Sequence, residues 1–157
     1  MPDMLVKLYE LPPLEPALEQ QRRQGITIRR ALAPEKRLVL GWVEQHWGAA
    51  WASECDVAFA NQPPACFVAV ADDALLGFAC YDATARGFFG PIGVVEATRG
   101  RGVGAALLVA TLHAMRWLGY GYAIIGGVGP AEFYARTVGA TLIPDSAPGI
   151  YQGMLRS

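Results

Sequence analysis

Apolar residues along the chain fall into short alternating runs, one long continuous run, and breaks marked by glycine and proline. Val6-Lys7-Leu8-Tyr9-Glu10-Leu11 alternates as a short strand that Pro12, Pro13 and Pro16 stop, and Leu14 to Gln24 has the composition of a polar helix closed by Gly25. Ile26-Thr27-Ile28-Arg29-Arg30 alternates as a half-buried strand. Pro34-Glu35 opens a helix through His46, ended by Gly48, with Leu38, Trp42 and Val43 expected toward the interior. Ala49 to Ala60 lacks glycine and proline and reads as a second short helix, which Asn61-Gln62-Pro63-Pro64 breaks.

Cys66 to Val70 and Leu75 to Tyr81 read as strands joined at Asp72-Asp73, a hairpin signal. Phe88 to Val95 follows as a third antiparallel strand; Pro91, having no N–H, implies that this strand is bulged or free on one side. The long run from Gly102 to Leu118 is a helix with a core stripe at Gly104, Leu107, Leu108, Thr111, Leu112, Met115 and Leu118. Its other face carries Val109, His113, Arg116, Trp117 and alanines, so the helix is expected to be covered by the sheet and by another element or subunit. Tyr122 to Ile125 is a strand, Ala131 to Val138 a helix, and Thr141-Leu142-Ile143 with Ile150 to Leu155 a closing strand pair.

With 157 residues, 53% hydrophobic and 17% charged, the chain is long enough for one buried core and too short for two ordinary domains. A single domain over 1–157 is the expectation, with residues 1–25 an extra N-terminal strand and helix segment of it. The net charge of −1 gives no electrostatic footprint for nucleic acid or an anionic membrane. The start lacks a basic region followed by an apolar core, and the most apolar window, Val103 to Leu118, is interrupted by His113 and Arg116 and falls short of the ~20 residues a bilayer span needs. Cys55, Cys66 and Cys80 are odd in number and lack metal-ligand spacing, so they read as buried free thiols, as expected in a reducing cytoplasm, with no metal site.

The stretch richest in chemistry is Arg99-Gly100-Arg101-Gly102-Val103-Gly104-Ala105, three glycines and two arginines where the long helix begins. A helix N-terminus has unpaired N–H groups and about half a positive charge, and glycine removes the Cβ that would keep a phosphate away. A Walker A loop is excluded because no Gly-Lys-Ser or Gly-Lys-Thr follows. Gly100-x-Gly102-x-x-Ala105 formally meets the dinucleotide fingerprint, but the next strand ends in Gly126-Gly127 where an acidic residue would hold the ribose.

Arg99-x-x-Gly102-x-Gly104-Ala105 resembles the phosphate-loop signature of the GNAT superfamily of N-acetyltransferases, and Phe133-Tyr134-x-x-x-Val138-Gly139-Ala140 resembles the same family's Phe-Tyr helix segment in the right order and separation. Two departures stand beside the match: Ala140 takes a place where the family prefers an aromatic, and the loop Gly126 to Pro130 lacks the asparagine often found there. The resemblance implies an α/β GNAT fold: a mixed, mostly antiparallel central sheet flanked by helices, with splayed central strands.

The resemblance further implies acetyl-CoA as cosubstrate and transfer of an acyl group from its thioester to an amine by direct attack. Arg99, Gly100, Arg101, Gly102, Val103, Gly104 and Ala105 would then hold the pyrophosphate, Ile92 and Val94 would pair with the pantetheine arm, and Tyr134 would protonate the leaving thiolate. Some family members carry a glutamate on the strand before the loop; the corresponding place here is Phe88, so the general base is open among Glu54, Asp56, Asp82 and Glu132. Trp47, Trp51 and Glu54 are the candidates for the acceptor side, where the tryptophans line an apolar pocket or meet a partner subunit; a homodimer is one expectation. The acceptor is a small-molecule amine or a peptide N-terminus. The alternative to an enzyme is a catalytically silent acyl-CoA-binding sensor, since no base is evident.

Overall fold

The alternating runs at 66–81 fold as a hairpin of β3 (Cys66–Ala71) and β4 (Ala74–Tyr81), turned by Asp72 and Asp73 at φ 50° and 61°. Two left-handed residues match the twist of the flanking strands, and aspartate tolerates that region better than most side chains. The computed structural model describes residues 1–156 and adds five strands and five helices to the order: β1 (Met4–Lys7), α1 (Leu14–Arg22), β2 (Thr27–Arg30), α2 (Lys36–Trp47) and α3 (Ala49–Phe59) precede the hairpin. After it come β5 (Phe88–Val94), α4 (Val103–Trp117), β6 (Tyr122–Ile125), α5 (Ala131–Val138) and β7 (Thr141–Leu142).

The strands form one sheet in the order β2-β3-β4-β5-β6-β1-β7, with β5 and β6 parallel and the other neighbours antiparallel. β5 meets β6 only at Phe88↔Ile124 and Phe89↔Ile125, and beyond Phe89 the two strands part. The α/β architecture with splayed central strands is the one the sequence implied.

Three local expectations are corrected. Leu38 is 67% exposed, whereas Val39 and Val43, one helical turn apart, are buried. The inward stripe of α2 is centred on Val39 and Val43, four residues apart, and Leu38, roughly 100° round the helix from Val39, falls on its solvent side. Leu118, placed on the core stripe of the long helix, lies just beyond its last turn and is exposed, while Leu107, Leu108, Thr111, Leu112 and Met115 are wholly buried. Finally, Ile150 to Leu155 is not a strand: Gly149–Tyr151 is a turn of 3-10 helix, and β1 occupies the place between β6 and β7. Pro144 and Pro148, with Asp145 and Gly149 at positive φ, turn the chain away from a ladder whose place the N-terminal strand already fills.

Residues 1–25 thus stand in the sheet and against its main helix. α1 packs on α4, where Val109 and Ala110 are buried, and the half-buried His113 Nε2 lies 2.7 Å from the Pro12 carbonyl. The part of the outer face of α4 around Val109, Ala110 and His113 is covered by the chain's own N-terminal segment, whereas Trp117 at its end is 69% exposed. The three cysteines are free and buried, with Cys55 and Cys80 Sγ 3.5 Å apart and all three Sγ atoms within 4.8 Å of one another. Among the described residues no helix is long and apolar enough to cross a membrane.

Candidate active site

The phosphate loop is shaped by its glycines. Gly100 and Gly102 hold φ of +84° and +80°, a region that costs side-chain-bearing residues strain, and Gly102 is the N-cap of α4 without a side-chain cap. The first helical bond runs from Ala106 N–H to the Gly102 carbonyl at 3.0 Å, so the N–H groups of Val103, Gly104 and Ala105 have no partner among the described residues. A Cβ at Gly104 would stand 3.7 Å from Val94 and 3.8 Å from Phe133, so these two side chains flank the helix start. Arg99 is exposed; Arg101 donates from Nε to Gln24 Oε1 at 3.0 Å.

Just before the loop, β5 has a free edge. Val95 N–H donates to the Leu76 carbonyl at 2.9 Å, and Gly93 pairs with Phe78. By the alternation of an antiparallel ladder, Gly93 and Val95 turn their polar groups toward β4, and Ile92 and Val94 turn theirs away from it. On that side β6 has already parted from β5, so the N–H and C=O groups of Ile92 and Val94 face the gap that opens after Phe89.

Tyr134 sits on α5 with its ring packed edge-on against Phe89 (centroids 6.4 Å apart) and Phe133 (5.1 Å). Phe133 reaches the start of α4, so α5 spans from the parting point of the strands to the phosphate loop. The Tyr134 hydroxyl makes no hydrogen bond among the described residues, and burial pushes its pKa up to about 12. Burial disfavours the phenolate, so the hydroxyl keeps its proton through the neutral range.

The opposite face of the sheet carries the tryptophans. Trp47 lies over Gly93, where an added Cβ would come within 2.6 Å of its ring, and packs with Trp42, Trp51 and Phe78 at centroid distances of 5.3, 5.6 and 5.4 Å. Glu54, one turn beyond Trp51 on α3, accepts a hydrogen bond from the Thr84 hydroxyl, and burial holds its carboxyl above the usual carboxylate range. Tyr151, from the C-terminal 3-10 turn, joins this cluster; its hydroxyl approaches Gly126, whose missing Cβ would also meet Phe88 at 3.0 Å. Burial raises the Tyr151 phenol, with Glu54 and Asp3 adding to the effect through their charge.

The structure therefore brings the loop 99–105, Ile92, Val94 and Tyr134 to one side of the parting strands, and Trp47, Trp51 and Glu54 to the other. Of the remaining carboxylates considered as bases, Asp56 pairs with Lys36 at 2.8 Å, Asp82 accepts the Tyr120 hydroxyl and the Gly87 N–H, and Glu132 is exposed. His46 Nδ1 lies 2.8 Å from the Trp42 carbonyl, as a helix-end histidine does. Sequence reasoning missed Gln21 and Gln24, which reach the loop from about 80 positions away, and Tyr151, which was read within a strand. No periodicity or spacing marks such long-range contacts.

Comparison with known proteins agrees with this geometry. A model described as the acetyltransferase (GNAT) family matches residues 28–139. A GCN5-related N-acetyltransferase from Sphaerobacter thermophilus is 24% identical over 90% of this chain and 48% of its own, with a TM-score of 0.70. A glucosamine N-acetyltransferase region of a fungal multi-domain β-N-acetylglucosaminidase is 15% identical over 90% of this chain and 19% of its own, with a TM-score of 0.71. The aminoglycoside N-acetyltransferase AAC(6')-Iy, solved with CoA, is 21% identical over 72% of this chain and 83% of its own, with a TM-score of 0.50. At these identities the likeness is one of fold, and the chain spans about half or less of the first two proteins. No curated protein matches in sequence.

Proposed function

Because the chain belongs to the acetyltransferase (GNAT) family, we propose that it transfers the acetyl group of acetyl-CoA to an amine that attacks the thioester carbonyl directly. The observation that carries this reading is that two sets of unpaired main-chain groups lie at the parting of the strands, those of Ile92 and Val94 on the free edge of β5 and the N–H groups of Val103, Gly104 and Ala105 at the start of α4, where Val94 flanks Gly104. An extended amide-bearing arm ending in a pyrophosphate matches both parts: the edge of β5 supplies ladder-like bonds, and the start of α4 supplies N–H groups and a positive dipole end.

The residues then divide the reaction between the two faces of the sheet. Main-chain groups at Ile92 and Val94 hold the pantetheine amides and orient the thioester carbonyl toward the gap, where an N–H polarises it. The amine enters from the side of Trp47, Trp51 and Glu54. Glu54, desolvated and made more basic, takes the proton the attacking nitrogen loses as the N–C bond forms. As the C–S bond breaks, Tyr134 gives its phenolic proton to the departing sulfur, and both groups are reset through solvent. The acceptor is a small-molecule amine or a peptide N-terminus.

The reading is tested by incubating the protein with acetyl-CoA and a panel of monoamines, polyamines, amino sugars and peptides, following free thiol and the mass of the acceptor. Amine-dependent thiol release with a matching acetylated product is expected. Tight binding of acetyl-CoA with no release from any member of the panel would instead establish a silent acyl-CoA binder.

A further inference from the structure

The family match begins at residue 28, yet the cofactor loop is held by residues that precede it. The Arg101 carbonyl accepts from Gln21 Nε2 at 3.0 Å and from Gln24 Nε2 at 2.9 Å, while the Arg101 guanidinium donates back to Gln24 Oε1 at 3.0 Å. The carbonyl and N–H of one trans peptide point in opposite directions, so anchoring the Arg101 oxygen on α1 aims the Gly102 N–H away from α1. Gln21 is wholly buried, and its Oε1 is the one buried side-chain polar atom among the described residues without a hydrogen-bond partner. An orphaned buried acceptor is destabilising, and an apolar side chain of the same length would avoid it; what the glutamine adds is its hold on the loop.

Beside these bonds the end of α1 and the loop enclose a shallow hollow of about 430 Å³ lined by Gln20, Arg23, Gln24, Gly100, Arg101 and Gly102. Its charged walls are two guanidinium groups, and no carboxylate lines it; Glu19, 3.7 Å from Arg23 Nε, is not part of the lining. Guanidinium forks flanked by amide donors suit a doubly charged phosphate monoester better than a pyrophosphate already satisfied by main chain.

We propose that the last turn of α1 and the phosphate loop together form a subsite for a phosphate monoester, which on an acyl-CoA is the 3′-phosphate of the ribose. Arg23 and Arg101 supply its charge, and Gln21 and Gln24 are positioning residues that hold the loop. The proposal rests on the acetyl-CoA reading above, and it extends the cofactor site into a segment outside the family match.

Calorimetric titration of the full chain with CoA and with dephospho-CoA, which lacks only that phosphate, tests it. The protein is expected to bind CoA about tenfold more tightly than dephospho-CoA, the factor one charge-assisted hydrogen bond supplies. Arg23→Gln should bring the ratio toward one while leaving dephospho-CoA affinity unchanged. Gln21→Met should weaken both ligands alike without lowering the melting temperature, whereas a merely structural glutamine would lower the melting temperature and spare affinity. Equal binding of CoA and dephospho-CoA by the native protein, or an unaltered ratio in Arg23→Gln, overturns the subsite and leaves the acetyl-CoA reading standing. Unchanged affinities in Gln21→Met overturn the positioning role. Failure of the native protein to bind either ligand overturns both readings.

Discussion

Tyr134→Phe separates the chemistry of this site from its packing. The substitution keeps the ring and its edge-on contacts with Phe89 and Phe133, and deletes a hydroxyl that has no hydrogen-bond partner among the described residues. Aromatic contacts of this kind are worth about 0.5–1.5 kcal/mol each, and both survive. Stability should therefore stay within about 0.5 kcal/mol of the native protein, because the lost hydroxyl gives up no hydrogen bond within the protein. Turnover should fall by roughly 10²–10⁴-fold, the range for loss of a general acid, which is about 3–5 kcal/mol of barrier. A pKa raised from 10.0 to about 12 corresponds to ~3 kcal/mol against the phenolate and leaves the group protonated throughout the neutral range. The departing thiolate shares the same desolvation, which raises its own proton affinity and favours the transfer. The sign for stability follows from the same shift: the unfolded phenol ionises near pH 10 and the folded one near pH 12. Tyr134 thus contributes its stability below pH 10 and loses it as the pH rises toward 12. Single-turnover measurements with any active amine, beside urea unfolding and acetyl-CoA titration, provide the assay. Native-like turnover with chemistry rate-limiting would remove Tyr134 from the mechanism.

Other substitutions probe the neighbouring parts. Gly104→Asp should fold, since the nearest atoms to a Cβ there are 3.7 Å away, yet abolish stabilisation by acetyl-CoA in thermal unfolding; retained native affinity would refute the phosphate-loop assignment. Gly93→Ala should cost about 1–3 kcal/mol in urea unfolding, because its Cβ would fall 2.6 Å from a Trp47 ring clamped by three other aromatics, and Trp47→Phe should recover part of the loss. Additive losses in that double variant would mean that no steric coupling exists. Glu35, held at a pKa of about 2 by its bidentate bond to Arg29, should stabilise the fold above pH 4.5 and lose that contribution as the pH falls to about 2. The stability difference between Glu35→Gln and the native protein should therefore vanish over that interval; a difference unchanged at pH 2 would refute the pairing.

The order of elements from Ile26 to Leu142 was legible because each signal is local. Apolar spacing distinguishes helix from strand within a dozen residues, glycine and proline mark the breaks, and the phosphate loop and the Phe133-Tyr134 pair lie within single short segments. The candidate site was legible to the same extent: the loop, Ile92, Val94 and Tyr134 come from the consecutive elements β5, α4, β6 and α5, which the fold the sequence resembles brings together.

What the sequence by itself determined is therefore the set of local elements and the chemistry each carries: a glycine-rich helix start, a proline-bearing strand unable to pair fully, and a phenol on the short helix that follows the next strand. What only the tertiary structure decided are the long-range pairings. Hydrogen bonding along a strand is indifferent to which sequence lies opposite, so nothing local told that Met4–Lys7 rather than a C-terminal segment would lie between β6 and β7. The apolar back of α4 required a cover but did not name one, and α1 supplied it from the same chain over Val109 and Ala110 while leaving Trp117 exposed. Gln21 and Gln24 looked like polar positions of an exposed helix until docking buried the first and set both against the Arg101 carbonyl. Burial and long-range contact depend on where the rest of the chain packs, and only the folded arrangement sets them.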